Sequence, residues 1–127
     1  LRGKVIFTGY RADIMDLMAA FDLFVLPSVF TEGLPVVILE AMLARKAVIA
    51  ASVGGSPEIV IEGKTGTLVP PANPDKLAEA IIYHLGNPEI SRRLAENGYE
   101  FVKQRFGLPR MLDETMGIYQ ELAVNRR

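Results

Sequence analysis

The sequence has no cysteine and no tryptophan, and its only histidine is His84. The lack of cysteine excludes a disulfide framework and thiolate metal sites, and it agrees with a reducing compartment. A single histidine also excludes histidine-rich metal centres. No cluster of carboxylates with metal-ligand spacing takes their place, so we expect neither a metal nor a cofactor. We expect His84 to be a surface or capping residue of its helix.

An excess of charge of one sign is also missing. Fourteen basic and fifteen acidic residues give a net charge of −1, and the basic residues form no stripe. Nucleic acid is therefore not an expected partner.

Long apolar runs and a secretory signal are absent too. The longest apolar stretches, "FDLFVLP" and "LPVVILEAMLA", are far shorter than the ~20 residues of a membrane span. We expect a cytoplasmic protein, and peripheral attachment of the full-length protein to a membrane stays open. The chain opens on "LRGKVIFTG" without an initiator methionine, which leads us to expect a piece of a longer polypeptide.

What the sequence does contain is an alternation of β-rich runs with amphipathic helices. At 127 residues the chain has the size of one domain. Predicted strands are "KVIFT" from Lys4 to Thr8, Leu23 to Leu26, "AVIAA" from Ala47, and "TGTLVPP". Short loops between strands and helices indicate a parallel sheet with right-handed crossovers. The predicted fold is therefore α/β, a Rossmann-like parallel sheet of about four strands flanked by helices.

Capping residues and prolines predict where the helices begin. Asp13 precedes the first helix, Pro35 opens one that runs to about Ala44, and "SPEIVIEG" forms a short third helix. The pairs Asn73-Pro74 and Asn87-Pro88 begin two more, and a last helix covers roughly 108 to 123. We treat 1–127 as a single domain that ends in a helical tail at about 74–124.

The richest segment for chemistry is "FTEGLPVVILEAM", residues 30 to 42. In open α/β sheets the ligand crevice lies beyond the carboxyl ends of the strands, and this segment follows the second predicted strand. It brings Glu32 and Gly33 to a helix N-terminus, where unpaired backbone N–H groups and the helix dipole favour an anion such as a diphosphate. Two carboxylates beside an anion site are reasonable only if both accept protons from hydroxyl groups.

The position of Glu40 sharpens this interpretation. It lies ~7.5 Å along the helix from Pro35, where it would meet the ribose of a nucleotide whose diphosphate sits at the helix start. The neighbours of Glu40 make the helix apolar all round, so we expect a buried helix and a buried carboxylate that needs a partner. The alternative is an ordinary helix with an acidic first turn and one solvated glutamate.

The ordered segments resemble a known family. These are "TG" after the first strand, "PS" followed by "TEGLPVVILEAM", "VIAASVGGSPEIV" and "GKTGTLVPPANPDKLAEAI". Together they resemble the carboxyl-terminal, donor-binding domain of the retaining GT-B glycosyltransferases with two glutamates separated by seven residues, a family that includes sucrose synthases and many lipopolysaccharide transferases. The resemblance covers nearly the whole chain.

The resemblance implies an enzyme that transfers a sugar from a nucleotide-diphosphate sugar to an acceptor hydroxyl with retention of configuration. It implies that Glu32 is catalytic and, with the segment Gly33, Leu34, Pro35 and Val36, meets the transferred sugar and the diphosphate. Glu40 would hold the ribose hydroxyls. Gly9, Tyr10 and Arg11 would lie beside the base.

The sequence also departs from the family pattern. Where the family has glycine and proline after the motif helix, this chain has Arg45 and Ala47. A left-handed Arg45 would be strained, so we expect a different turn there. Gly54, Gly55 and Glu58 match a family segment too, but that loop could equally only shape the sheet edge.

The family's donor domain begins with further strand and helix units that this chain lacks, and an acceptor-binding domain precedes them. We therefore expect a partial domain that is inactive alone. Its expected partners are a nucleotide sugar, the amino-terminal domain of the same polypeptide and a glycan or lipid acceptor. The exposed last helix is expected to promote self-association. A sugar-nucleotide epimerase of the same architecture and a receiver-like interaction domain are the alternatives.

Overall fold

The computed structural model describes residues 3–30 and 33–124, except for the side chain of residue 124. Within this part of the chain there are six helices and three strands. The helices are α1 (Ile14–Ala20), α2 (Val36–Leu43), α3 (Ser56–Ile59), α4 (Pro74–Gly86), α5 (Pro88–Arg105) and α6 (Leu108–Val124). The strands are β1 (Leu23–Leu26), β2 (Ala47–Ala51) and β3 (Thr67–Val69).

The three strands form one parallel sheet in the order β1-β2-β3. Leu26 pairs with Ala50 and Val69 pairs with Ala51, so the carboxyl ends of the three strands are nearly level. The central strand β2 is buried along its whole length, as its continuous apolar sequence predicts. Because all strands are parallel, their carboxyl ends lie at one edge, called here the carboxyl edge.

The core consists of β2 and the helices that pack against it. The innermost side chains come from β2, α1, α2 and the segment around α3, and α5 adds Val102. They are Met18, Ile38, Ala41, Met42, Val48, Ala50, Ile59 and Val60. The predicted α/β class with a parallel sheet flanked by helices is confirmed.

The predicted strand from Lys4 to Thr8 is wrong. These residues have no regular secondary structure, and Ile6 and Phe7 are 84% and 94% exposed. A short apolar run becomes a strand only beside another strand that completes its hydrogen bonds, and no described strand lies beside it. The described sheet therefore has three strands instead of the expected four.

Among the described helices, α4 is the one whose first turn has a side-chain cap. The Asn73 side chain accepts a hydrogen bond from the Lys76 amide at 3.0 Å, which caps α4. Asn87 instead donates from Nδ2 to the Tyr83 carbonyl at 2.8 Å, so its side chain closes the end of α4. Asp13 precedes α1 as predicted, but its carboxylate pairs with Arg11 and makes no capping bond.

The turn after α2 contradicts our expectation for Arg45. This residue is left-handed, with φ of 52°. The Lys46 amide donates to the Ala41 carbonyl and the Arg45 amide donates to the Met42 carbonyl, the two bonds of a Schellman motif. Thus the turn keeps the left-handed position for which glycine is usual, and an arginine occupies it.

Candidate functional site

The loops that follow the three strands come together at the carboxyl edge. The Ser52 amide, just after β2, donates to the Val69 carbonyl at the end of β3 at 2.8 Å. The Gly55 amide donates to the Gly33 carbonyl at 3.0 Å. The second bond joins the loop after β2 to the loop that opens α2, called here the motif loop (33–35).

The start of α2 presents free donors at this edge. Pro35 precedes the helix and has no N–H, and its carbonyl accepts from the Ile38 amide at 3.0 Å. The amides of Val36 and Val37 have no acceptor within the described part of the chain. Val36 is 59% exposed, so these donors lie next to solvent. An anion at this point would meet backbone N–H groups and the positive end of the helix dipole.

Glu40 lies on α2 about one turn beyond Val36, roughly 6 Å along the axis. It is half-buried, and its carboxylate has no hydrogen-bond or ion-pair partner among the described residues. Our reason for expecting a fully buried Glu40 was wrong, because α2 is not buried all round. Ile38, Ala41 and Met42 are fully buried but Val36 and Leu43 are exposed. A partly exposed carboxylate without a protein partner can accept hydrogen bonds from a ligand.

Two other parts of the predicted site are Glu32 and the segment predicted to lie beside the base. Glu32, predicted as catalytic, lies outside the described residues. The segment predicted to lie beside the base is exposed: Tyr10 is 95% exposed, Gly9 has a positive φ of 62°, and Arg11 pairs with Asp13. Among the described residues, no hydrogen bond or ion pair links this segment to the motif loop.

The Gly54-Gly55 loop has a larger part in the site than the sequence indicated. A Cβ atom built on Gly55 would lie 2.6 Å from the Gly33 oxygen, so the two loops are in direct backbone contact. In contrast, a Cβ on Gly33 would meet nothing within 4 Å. The double glycine in the sequence indicates that another backbone could approach closely there. Sequence alone does not indicate which backbone that is. Glu58, in the first turn of α3, is exposed.

A cavity of about 210 Å³ lies at the carboxyl edge. Its walls come from Pro27 after β1, Ala51 at the end of β2, and the turn between β3 and α4, including Pro70 and Asn73. The walls are largely apolar. A larger cavity of about 470 Å³ lies at the opposite edge, between the amino ends of β1 and β2 and the start of α5. The amides of α2 and the Glu40 carboxylate that lack partners among the described residues are at the carboxyl edge, so we take this edge as the candidate site.

His84 is not the surface residue that we expected. It is 2% exposed and continues the face of α4 formed by Leu77 and Ile81. Its Nε2 lies 2.8 Å from Thr67 Oγ1, and its Nδ1 lies 2.8 Å from Ser91 Oγ. The Ser91 hydroxyl donates its single hydrogen to the His84 carbonyl at 2.9 Å, so it must accept from Nδ1–H. Nε2 then accepts from the Thr67 hydroxyl.

Burial lowers the pKa of His84, and the nearby Glu62 carboxylate opposes this effect. The ring is therefore neutral near pH 7. With both nitrogens engaged and at the edge away from the site, His84 is a structural residue of the β3, α4 and α5 packing.

Two kinds of feature are absent from residues 3–30 and 33–124. No group of three or more histidine, cysteine or acidic side chains is placed to hold a metal ion. No helix in this part of the chain is both long enough and apolar enough to cross a membrane.

Similar proteins were found by sequence. Residues 1–101 match the family glycosyl transferases group 1. The alpha-D-kanosaminyltransferase of Streptomyces kanamyceticus is 34% identical over 98% of this chain and 32% of its own length. The alpha-maltose-1-phosphate synthase of Mycolicibacterium smegmatis is 35% identical over 87% of this chain and 30% of its own length. The chain thus spans about a third of the relatives that it matches.

Solved structures give the same result. HepE of Anabaena, in complex with UDP-glucose, is 37% identical with a TM-score of 0.86, over 92% of this chain and 33% of that one. A glycosyltransferase from Rickettsia africae is 29% identical with a TM-score of 0.90, over 97% of this chain and 33% of that one. On the match over 1–101 and the shared fold, the chain belongs to the glycosyl transferases group 1 family.

Proposed function

We propose that this chain is the donor-binding part of a retaining glycosyltransferase that transfers a sugar from a nucleotide-diphosphate sugar to an acceptor hydroxyl. The observation that carries the proposal is the start of α2. The helix dipole and the amides of Val36 and Val37, which have no acceptor among the described residues, stand at the carboxyl edge. The half-buried Glu40, whose carboxylate has no partner in the same part of the chain, follows one turn later. This spacing suits a diphosphate followed by a ribose.

In the proposed complex the motif loop and the Val36 amide bind the diphosphate. Glu40 accepts hydrogen bonds from the ribose hydroxyls, and Glu32 meets the transferred sugar as the catalytic carboxylate. Gly9, Tyr10 and Arg11 lie beside the base. HepE of Anabaena, whose structure contains UDP-glucose, supports a nucleotide sugar as the ligand class.

The chemistry proposed for the site is stabilisation of negative charge. When the glycosidic bond to the diphosphate breaks, charge develops on the departing phosphate oxygen, and fixed N–H donors stabilise that charge more than they stabilise the ground state. No metal or cofactor is required in this scheme. The acceptor, a glycan or a lipid, would bind to a part of the protein outside this chain, so we expect the isolated chain to be inactive.

The role of Glu40 can be tested with nucleotides that differ only in the ribose. Calorimetry on the full-length protein would compare UDP with 2′,3′-dideoxy-UDP, and the corresponding pairs for other bases. The unmodified protein should prefer the ribose form by about tenfold or more, since a hydrogen bond to a charged group is worth more than one between neutral groups. Glu40→Gln should remove most of this preference.

The matched control is Glu100→Gln. Glu100 is an exposed glutamate of α5, away from the motif loop, and its substitution should leave the preference unchanged. Equal binding of both nucleotides by the unmodified protein would contradict the ribose role of Glu40. Absence of binding to every nucleoside diphosphate and nucleotide sugar would contradict the proposed function as a whole.

Retention of configuration needs a separate measurement. The anomeric proton coupling of the product, followed by NMR as it forms, should match that of the donor sugar. An inverted product would overturn the retaining mechanism. A donor sugar that is epimerised without an acceptor would favour the epimerase.

A further inference from the structure

The loop after β2 contacts the motif loop through Gly55. Its amide donates to the Gly33 carbonyl at 3.0 Å. The same loop is fixed to the sheet on its other side, because the Ser52 amide donates to the Val69 carbonyl at 2.8 Å. The motif loop is thus attached through this loop to the end of β3.

The contact requires the absence of a side chain at position 55. A Cβ on Gly55 would lie 2.6 Å from the Gly33 oxygen, and 3.2 Å from both the Gly33 carbonyl carbon and the Leu34 Cα. All three atoms belong to backbone, so no side chain could rotate away to make room. The φ of Gly55 is −78°, which any residue adopts, so close approach alone accounts for the glycine.

Gly33 shows the opposite arrangement. A Cβ on Gly33 would meet no atom of the described residues within 4 Å. The peptide between Gly33 and Leu34 is therefore supported by Gly55, while the Cβ direction of Gly33 is open. Donors that stabilise developing charge must be held in place before the reaction, and small displacements reduce the rate strongly.

We infer that Gly55 is a positioning residue for the donor site: it sets the place of the Gly33-Leu34 peptide and so of the first amides of α2. The inference rests on the proposed function for its effect on the ligand, but the positioning itself can be measured without one. A side chain at position 55 would push the Gly33 oxygen away, lose the hydrogen bond and leave the motif loop without support.

The test compares Gly55→Ala with Gly66→Ala in the full-length protein. A Cβ on Gly66 would lie 2.7 Å from the Val48 oxygen, so both substitutions bring a methyl group against one backbone oxygen. Only Gly55 touches the motif loop. The two variants are therefore matched in the kind of strain and differ in its place.

The first readout is hydrogen–deuterium exchange of two hydrogen-bonded amides, that of residue 55, which donates to the Gly33 carbonyl, and that of Ile38, which donates to the Pro35 carbonyl at 3.0 Å. Gly55→Ala should raise the exchange of both amides at least tenfold. Gly66→Ala should leave it unchanged when each variant is measured at the same distance below its own Tm. Unchanged exchange in Gly55→Ala would overturn the inference, whether or not the protein binds nucleotides.

The second readout is calorimetry with UDP, the nucleotide of the Anabaena complex. The binding stoichiometry measures the fraction of folded protein, and Kd measures the affinity of the site in that folded fraction. Gly55→Ala should raise the Kd for UDP about tenfold or more, because the binding groups are displaced. Gly66→Ala should leave Kd unchanged, and any loss of folded protein should appear only as a lower stoichiometry. An unchanged Kd in Gly55→Ala, or an equal rise in Gly66→Ala, would overturn the inference. If the unmodified protein binds no nucleotide, the proposed function fails and exchange alone decides the inference.

If Gly55→Ala does not fold, an ester in place of the amide at residue 55 provides a second variant. It removes the N–H that bonds to the Gly33 carbonyl and adds no bulk. It should also raise the exchange of the Ile38 amide and weaken UDP binding. A folded ester variant with unchanged exchange would overturn the inference.

Discussion

His84 connects three elements through a single ring. Its nitrogens bond to Thr67 on β3 and Ser91 on α5, and the ring itself belongs to α4. In the neutral tautomer every polar atom of this network has a partner of the correct kind. A proton on Nε2 would require the Thr67 hydroxyl to turn its hydrogen away and accept, and it would place a charge in a buried position.

The network predicts that stability falls below neutral pH. Burial lowers the pKa of His84 in the folded protein beneath its ordinary value, so the unfolded state binds a proton more readily. The stabilisation is complete above the unfolded pKa of about 6.5 and is lost as pH falls through that value towards the folded pKa. Urea unfolding between pH 7.5 and 5.5 should show this loss, and His84→Gln should flatten the dependence. An equally steep dependence in His84→Gln would assign it to other groups.

Some features of single residues could be predicted from sequence and others could not. The start of α2 after Pro35 was predicted correctly, since proline and the apolar run that follows are local signals. The burial of His84 could not be predicted, because helical spacing from Leu77 continues equally to 84 and 85. What decides between them is the pair of hydroxyl partners on distant segments. The exposure of Val36 could not be predicted either, because the sequence of an apolar residue does not indicate whether another part of the chain covers it.

At the scale of elements, the turn between α2 and β2 shows how contacts support a strained backbone. Arg45 is left-handed, which is unfavourable for a residue with a side chain. Its guanidinium pairs with Glu96 at 2.9 Å and lies 3.6 Å from the centre of the Tyr99 ring. Both partners lie on α5, so the turn is also a contact between α2 and α5, which both pack on β2.

Substitutions at Arg45 should separate strain from contacts. Arg45→Ala keeps the left-handed conformation and loses both contacts, so it should be the least stable form. Arg45→Gly loses the same contacts but relieves the strain, so its Tm should exceed that of Arg45→Ala by roughly 3–6 °C. Thermal unfolding followed by circular dichroism measures the order. Equal Tm values for the two variants would show that the turn stores no strain.

The failure of the predicted first strand also belongs to this scale. The predictions of β2 and β3 were correct because each of these strands has a neighbouring strand in the sheet. The run from Lys4 to Thr8 has the composition of a strand, but a strand exists only with a neighbour, and periodicity carries no information about neighbours. The same limit left the contact between Gly55 and the motif loop unknown until the two loops were placed.

Considered as a whole molecule, the chain leaves much apolar surface exposed. Six residues of α6 recur at helical spacing and are each more than half exposed; they form the α6 stripe: Leu108, Met111, Leu112, Met116, Tyr119 and Leu122. Ile6 and Phe7, near the start of the described chain, are more exposed still. Apolar patches of this kind mark surfaces that contact another protein or another part of the same one. The chain spans about a third of its relatives, so the rest of a longer polypeptide is one candidate partner.

The α6 stripe predicts self-association of the isolated chain. Two helices that pair their stripes would remove apolar side chains from water, and each buried leucine contributes about 1.5–3 kcal/mol. Sedimentation equilibrium of the 127-residue chain should show a dimer that Leu112→Glu weakens at least tenfold, because the change removes apolar area and brings like charges together.

Gln120→Glu makes the same charge at an exposed position beside the stripe and should have little effect. Circular dichroism would confirm that all three forms keep the same helix content. A chain that stays monomeric at every concentration, or a dimer that responds equally to both substitutions, would mean that α6 is not the surface through which copies meet. In the full-length protein the stripe should be covered, so Leu112→Glu there should lower stability rather than change the oligomeric state.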